Sequence, residues 1–215
     1  MKKLLLLLFI FSLTSYSQKI SYEGNTAIVV FQLDSLSADE IHSRALSAIA
    51  NIFNSANDVI QLNDKASKKI VVRGKASVEI TNPIKSMYPK TKIIDDKMPI
   101  YFDTKVNIDS KDNRYRIEYE VMNPEYQSAN REPFGFFSFD FPNEKEKISY
   151  VEKMMDVKGI NIYVGKKKRD IYEAALIKVP NEVTEVLRRH SDLFFYSIQT
   201  EMLGLSKNST DGDDW

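Results

Sequence analysis

Phe102, Thr104, Val106 and Ile108 alternate with charged and polar residues, Ser110 to Asn113 interrupt, and Tyr115, Ile117, Tyr119 and Val121 resume the alternation. Successive side chains of a strand point to opposite faces, so this pattern reads as a hairpin with one dry face. Arg114, Arg116, Glu118 and Glu120 interleave on the other face of the return strand. A sheet covered on one side and wet on the other is the simplest account.

The upstream chain supplies material for both layers. Residues 27–33 are β-branched and apolar and read as a buried strand. Ser37 and Glu40 have capping-box spacing, which predicts a helix start. Ile41, Ala45, Ala48, Ile49, Ile52 and Phe53 then recur at three- and four-residue steps as one apolar stripe. Val59–Leu62 and Ile70–Ile80 predict a second hairpin around the polar stretch Asn63–Lys68, with Gly74 marking a bulge or a close backbone approach. Residues 81–99 carry Pro83, Pro89 and Pro99 and read as a loop.

Downstream, a helix is expected from about Glu144 to Asp156, offering Ile148, Val151, Met154 and Met155. Ile160–Val164 reads as a short strand, and Lys166–Arg169 as a solvated basic turn. Asn181 is the expected cap of a long last helix whose stripe is Val183, Val186, Leu187, His190, Phe194 and Ile198, with Gly204 ending it. The polar tail 206–215 reads as disordered.

The N-terminus carries an address. Lys2 and Lys3 precede a ten-residue apolar run, Leu4–Leu13, and Ser15 and Ser17 stand at −3 and −1 of a cut before Gln18. That layout predicts a signal peptide over residues 1–17 and a periplasmic or extracellular mature protein. The run is half the length that a bilayer span requires, about 20 residues, so no transmembrane segment is expected after cleavage. Loss of Lys2 and Lys3 leaves 28 basic against 30 acidic side chains, a net formal charge of −2, which provides no electrostatic reason to bind nucleic acid. With no cysteine, disulfides and thiolate zinc sites are excluded.

Strand, helix, four strands and helix is the resulting order. With the stretch Asn54-Ser-Ala-Asn-Asp-Val-Ile-Gln-Leu62 after the helix, and with the two later strands, it resembles the domain of unknown function 4468 family of exported Gram-negative bacterial proteins. The resemblance spans about residues 27–122. It implies an α+β, TBP-like β-α-β(4)-α fold, a curved antiparallel sheet packed by two helices, and brings no catalytic residues with it. The expected organisation is a domain over 18–123, an inserted elaboration over 124–179, and the last helix, 180–205, returning to the domain. DNA binding does not travel with a TBP-like scaffold.

Few chemistries survive a search of the residues. Gly159 and Gly165, followed by Lys166 and Lys167, have the wrong spacing for a phosphate loop and lack its Ser or Thr. Neither the dinucleotide fingerprint nor a Gly-x-Ser-x-Gly elbow is present. Of the two histidines, His42 lies off the first stripe and reads as a solvated surface residue, while His190 reads as a partly buried structural one. Asp95 and Asp96 are candidates for acid chemistry only in being paired on a loop, and Asp211, Asp213 and Asp214 lack the later ligands of a calcium loop. No catalytic, cofactor-binding or metal-binding residue is therefore assigned, and no cofactor is expected. The aromatic run is the unusual segment. Alternation puts Phe137, Phe139 and Phe141 in the core and leaves Phe134 and Phe136 as the exposed pair for partner binding. The function expected is a non-catalytic envelope module that binds a protein, peptide, glycan or small-molecule ligand. The alternative is an envelope hydrolase using paired carboxylates.

Overall fold

The computed structural model describes residues 19–53, 55–126, 132–157 and 165–205. Strands β1 (Ser21–Glu23) and β2 (Thr26–Gln32) lead into helix α1 (Ala38–Ile52) and a single turn, α2 (Ala56–Val59). Strands β3 (Ile60–Asp64) and β4 (Lys69–Thr81) form the first hairpin, followed by the short helix α3 (Pro83–Met87). Strands β5 (Lys97–Lys111) and β6 (Arg114–Tyr126) form the second hairpin, and β7 (Glu132–Pro133) pairs with the end of β6. Helices α4 (Glu144–Val157), α5 (Lys166–Leu176) and α6 (Val179–Met202) complete the chain. All pairings are antiparallel, in the order β1-β2-β6-β5-β4-β3. The expected β-α-β(4)-α order is β2, α1, β3 to β6 and α6, with β1 and β7 as additions.

Alternation decides which side of the sheet is covered. Ala27, Val29, Phe31, Ile70, Val72, Ile80, Ile100, Phe102, Val106, Ile108, Tyr115, Ile117, Tyr119 and Val121 share the dry face and are buried. Helices α1 and α6 pack there, α1 through Ile41, Ala45, Ala48 and Ile49, and α6 through Val183, Leu187, Phe195, Ile198 and Met202. Gly74 marks a close approach, since a Cβ there would meet Thr104 Oγ1 at 3.3 Å and the Phe53 ring at 3.5 Å.

Several expectations are corrected by tertiary partners. His42 is 4 % exposed, and its Nε2–H donates to Asn63 Oδ1 at 2.8 Å, because β3 closes over the flank of α1. The capping box is half formed: Ser37 Oγ accepts from Glu40 N–H at 3.3 Å, while the Glu40 carboxylate pairs with Arg44 at 2.9 Å. Residues 81–99 are more than a loop. Asn82 caps α3 through Ile84 N–H, Pro83 sits in the first turn where its missing donor costs nothing, and Pro99 lies inside β5. Lys166–Arg169 form the first turn of α5, with Lys166, Lys167 and Lys168 exposed to solvent as expected. Helix α6 begins at Val179, two residues before Asn181, because the chain turns directly from α5 with Pro180 in the first turn. Gly204 follows the helix at φ +66°, as its place predicts. Ile148 is exposed, whereas Tyr150 joins Val151, Met154 and Met155 inside the core. The predicted signal segment, the 160–164 strand and the acidic tail lie outside the described residues.

Candidate binding cleft on the open sheet face

The face opposite the helices is lined by charges of both signs, most of them set against an opposite charge on the next strand, with Lys105 and Arg73 a like-charged pair. One row runs Val30, Arg116, Asp109, Lys69; another runs Thr26, Glu120, Lys105, Arg73. Lys105 reaches Glu120 at 3.4 Å and Arg116 reaches Glu118 at 3.1 Å. Opposite charges facing one another across strands stabilise the sheet and cancel any single-sign field for a polyanion.

The regular ladder breaks at one end of this face. Tyr101 pairs with Glu125 and Asp103 with Met122, so Asn123 and Pro124 of β6 together oppose Phe102. This is a β-bulge, and both residues suit it. Asn123 takes φ +49°, which asparagine tolerates better than most side chains. Pro124 has no N–H to leave unpaired, and its carbonyl accepts from Phe134 N–H at 2.8 Å. The extra residue re-aims the strand and opens a cleft of about 350 Å³ lined by Lys75, Tyr101, Phe102, Asp103, Asn123, Glu125 and Tyr126. Asn123 Nδ2–H donates to Asp103 Oδ2 at 2.9 Å, which fixes both groups. The Tyr101 side chain is 46 % exposed beside them. An aromatic face next to a held amide–carboxylate pair and a cation can bind a ligand having one apolar side and a rim of hydrogen-bonding groups.

The residues singled out in the sequence lie elsewhere. Phe134 is buried against Tyr150, with ring centroids 5.9 Å apart, so its expected exposure is overturned; Phe136 is half-buried against the core. Phe137 and Phe139 are core residues as expected, but Phe141 is 53 % exposed. The segment is an extended strap, not a strand: Phe139 N–H donates to Gly24 O at 2.7 Å, and Arg188 Nε–H donates to Phe139 O at 2.7 Å. His190 is half-buried and hydrogen-bonded to the Tyr119 hydroxyl at 3.0 Å, the structural role predicted for it. Tyr22 O–H donates to Asp192 at 2.6 Å, and burial, followed by that bond and the Asp192 charge, pushes its phenol up to about 12. Asp95 and Asp96 are exposed, with Asp96 paired to Lys85 at 3.2 Å. Among the described residues no group of three or more His, Asp or Glu side chains is placed to hold a metal ion. None of the described helices is long and apolar enough to cross a membrane.

Residues 29–127, which hold most of β2, all of β3 to β6 and the bulge, match the family described as a domain of unknown function (DUF4468) with TBP-like fold. This stretch is a DUF4468 domain. The match ends at the strand that carries the cleft, so the strap and helices α4 to α6 lie outside it. Two solved structures are similar to the chain. One is a TBP-like protein from Parabacteroides distasonis ATCC 8503, 14 % identical, covering 82 % of this chain and 93 % of its own, at a TM-score of 0.42. The other is a DUF4468 family protein from Bacteroides ovatus ATCC 8483, 9 % identical, covering 91 % of this chain and 94 % of its own, at a TM-score of 0.46. No curated protein matches the chain.

Sequence reasoning missed the cleft of the DUF4468 domain. The available signal was Asn123-Pro124 directly after the alternation ends at Val121, because a proline in a paired strand marks an edge or a bulge.

Proposed function

We propose that this chain is an exported, non-catalytic binding module of the bacterial envelope, with the bulge cleft as its ligand site. The observation that carries the reading is the Tyr101 ring beside the Asp103–Asn123 pair on a sheet face left open by the helices. A sugar ring suits that chemistry: its C–H face packs on the tyrosine, and its hydroxyls reach the Asp103, Asn123 and Glu125 side chains. A second reading is a hydrolase, because Asp103 and Glu125 line the same cleft. One titration separates the two. Amide shifts of isotope-labelled protein are followed against chito-, malto- and β-gluco-oligosaccharides, with the sugar signals recorded in the same samples. The module predicts saturable shifts around residues 75, 101–103 and 123–125 and an intact sugar. Those shifts should vanish in Tyr101→Ala and in Asn123→Gly, which keeps the backbone conformation while deleting the amide. Cleaved sugar would support the hydrolase instead, and the absence of any shift at the cleft would sink both. Export has its own check: intact mass of protein from envelope or medium should give an N-terminus at Gln18, and a start at Met1 there would refute it.

A further inference from the structure

The turn between β5 and β6 is tied to the segment around the start of α1. Leu33 N–H donates to Asn113 O at 2.8 Å, Asn113 N–H donates to Leu36 O at 2.9 Å, and Ala38 N–H donates to Asp112 Oδ1 at 2.8 Å. The ends of the two strands are therefore fixed, and they set Lys111 directly opposite Arg114 on the open face. Like charges in that position cost stability. Nearby acids do not relieve them. Asp112 is turned to the start of α1, Glu118 pairs with Arg116 at 3.1 Å, and Asp109 stands between Arg116 and Lys69 in the ladder. Among the described residues, neither the Lys111 nor the Arg114 side chain makes a hydrogen bond or ion pair.

A cleft of about 450 Å³ opens at this place, lined by Val30, Ser67, Asp109, Lys111, Arg114 and Arg116, with Ser110 and Tyr115. Val30 is 42 % exposed and lies opposite Arg116, which gives the cleft one apolar side. Three cations, Lys111, Arg114 and Arg116, against the single acid Asp109 leave the lining two positive charges in excess. Two uncompensated cations on a fixed frame match one dianion and are too few for a polyanion. A guanidinium presents its N–H groups as a planar fork that fits two oxygens of a phosphate, and an ammonium beside it adds a point charge. Local rules of charge pairing are broken at functional sites, and here a ligand would restore the balance. We infer that this cleft binds a phosphomonoester dianion, its oxygens held by Lys111 and Arg114 and the organic group it carries packed on Val30. Asp109 is six residues along β5 from Asp103, roughly 20 Å, so the site is separate from the bulge cleft and does not rest on the sugar reading.

The test follows amide shifts of isotope-labelled protein against inorganic phosphate, glucose 1-phosphate and glucose. Glucose 1-phosphate should give saturable shifts around residues 30, 67, 109–111 and 114–116. It should do so at lower concentration than inorganic phosphate, which has no group for Val30, and glucose alone should give none there. Lys111→Gln and Arg114→Gln should each weaken the binding by about tenfold or more. Both residues are exposed and each change removes a like-charge opposition, so the melting temperature should hold or rise. Lys90→Gln deletes an exposed cation outside the cleft and should leave binding as it is. Phosphatidic acid in phosphatidylcholine vesicles presents the same dianion at a membrane. Sedimentation with those vesicles that both glutamine variants lose, without binding of glucose 1-phosphate, would assign the phosphomonoester to a lipid headgroup. No binding of phosphate, glucose 1-phosphate or the vesicles overturns the inference, and so does binding that the two glutamine variants leave unchanged. Shifts confined to residues 75, 101–103 and 123–125 overturn it too, while the sugar reading survives them.

Discussion

A buried imidazole needs partners for its nitrogens, and the two histidines of this chain find them differently. His42 Nε2–H is satisfied by Asn63, while Nδ1 is buried with no partner among the described residues. His42→Ala removes a packed ring and leaves the Asn63 amide without its donor, so it should cost about 1–3 kcal/mol in chemical denaturation. A melt unchanged from wild type would return His42 to the surface. His190 packs edge-on to Phe102 at 5.6 Å, and burial lowers its pKa below the usual imidazole value. The unfolded chain therefore binds the proton more readily than the folded one. Its contribution to stability is complete above about pH 6.5 and is lost as pH falls through 6.5 towards the depressed folded value. His190→Gln, which can still bond Tyr119, should flatten the fall in melting temperature between about pH 7 and pH 5. Equal slopes for the two proteins would refute this.

At the scale of elements, the aromatic strap and the start of α5 show where local pattern loses to tertiary contacts. Strand alternation would bury Phe137, Phe139 and Phe141 alike, yet the strap is fixed by hydrogen bonds to the β1–β2 turn and to α6. Thr184 Oγ1–H adds to these, donating to Ser138 O at 3.0 Å. Phe139 is wholly buried between Tyr22 and Tyr119, and Phe141 lies outside with the Arg188 guanidinium 4.6 Å over its ring. Phe139→Ala should cost about 3–5 kcal/mol and Phe141→Ala less than about 1 kcal/mol, compared by thermal melts. Helix α5 starts with Lys166, Lys167 and Lys168 and with no acidic residue in its first turn, against the helix dipole. Contacts made by this helix offset the mismatch: Lys168 Nζ lies 4.0 Å over the Tyr88 ring beyond α3, and Tyr172 and Leu176 are buried. Lys166→Glu should stabilise the protein by about 0.3–1 kcal/mol at low salt, and the gain should shrink as salt is raised.

For the molecule as a whole, one contiguous core joins the sheet, α1, α6 and the buried sides of α4 and α5. Ile49 is 1 % exposed within it, and Ile49→Asp would bury an uncompensated carboxylate, so loss of cooperative unfolding is expected in calorimetry. What the sequence by itself determined is whatever repeats at the period of a single element. The dry faces of β4, β5 and β6, the stripe of α1, the capping Ser37 and the terminating Gly204 were all legible, because a strand or helix imposes its own spacing on burial. What only the tertiary structure decided is whatever depends on a second segment arriving from far along the chain. His42 is buried by a strand 21 residues on, Phe141 is left outside by a strap tied to the first turn, and the cleft exists because Asn123 and Pro124 disturb the register with β5. Local spacing tells which face a residue takes; only the fold tells what stands opposite that face.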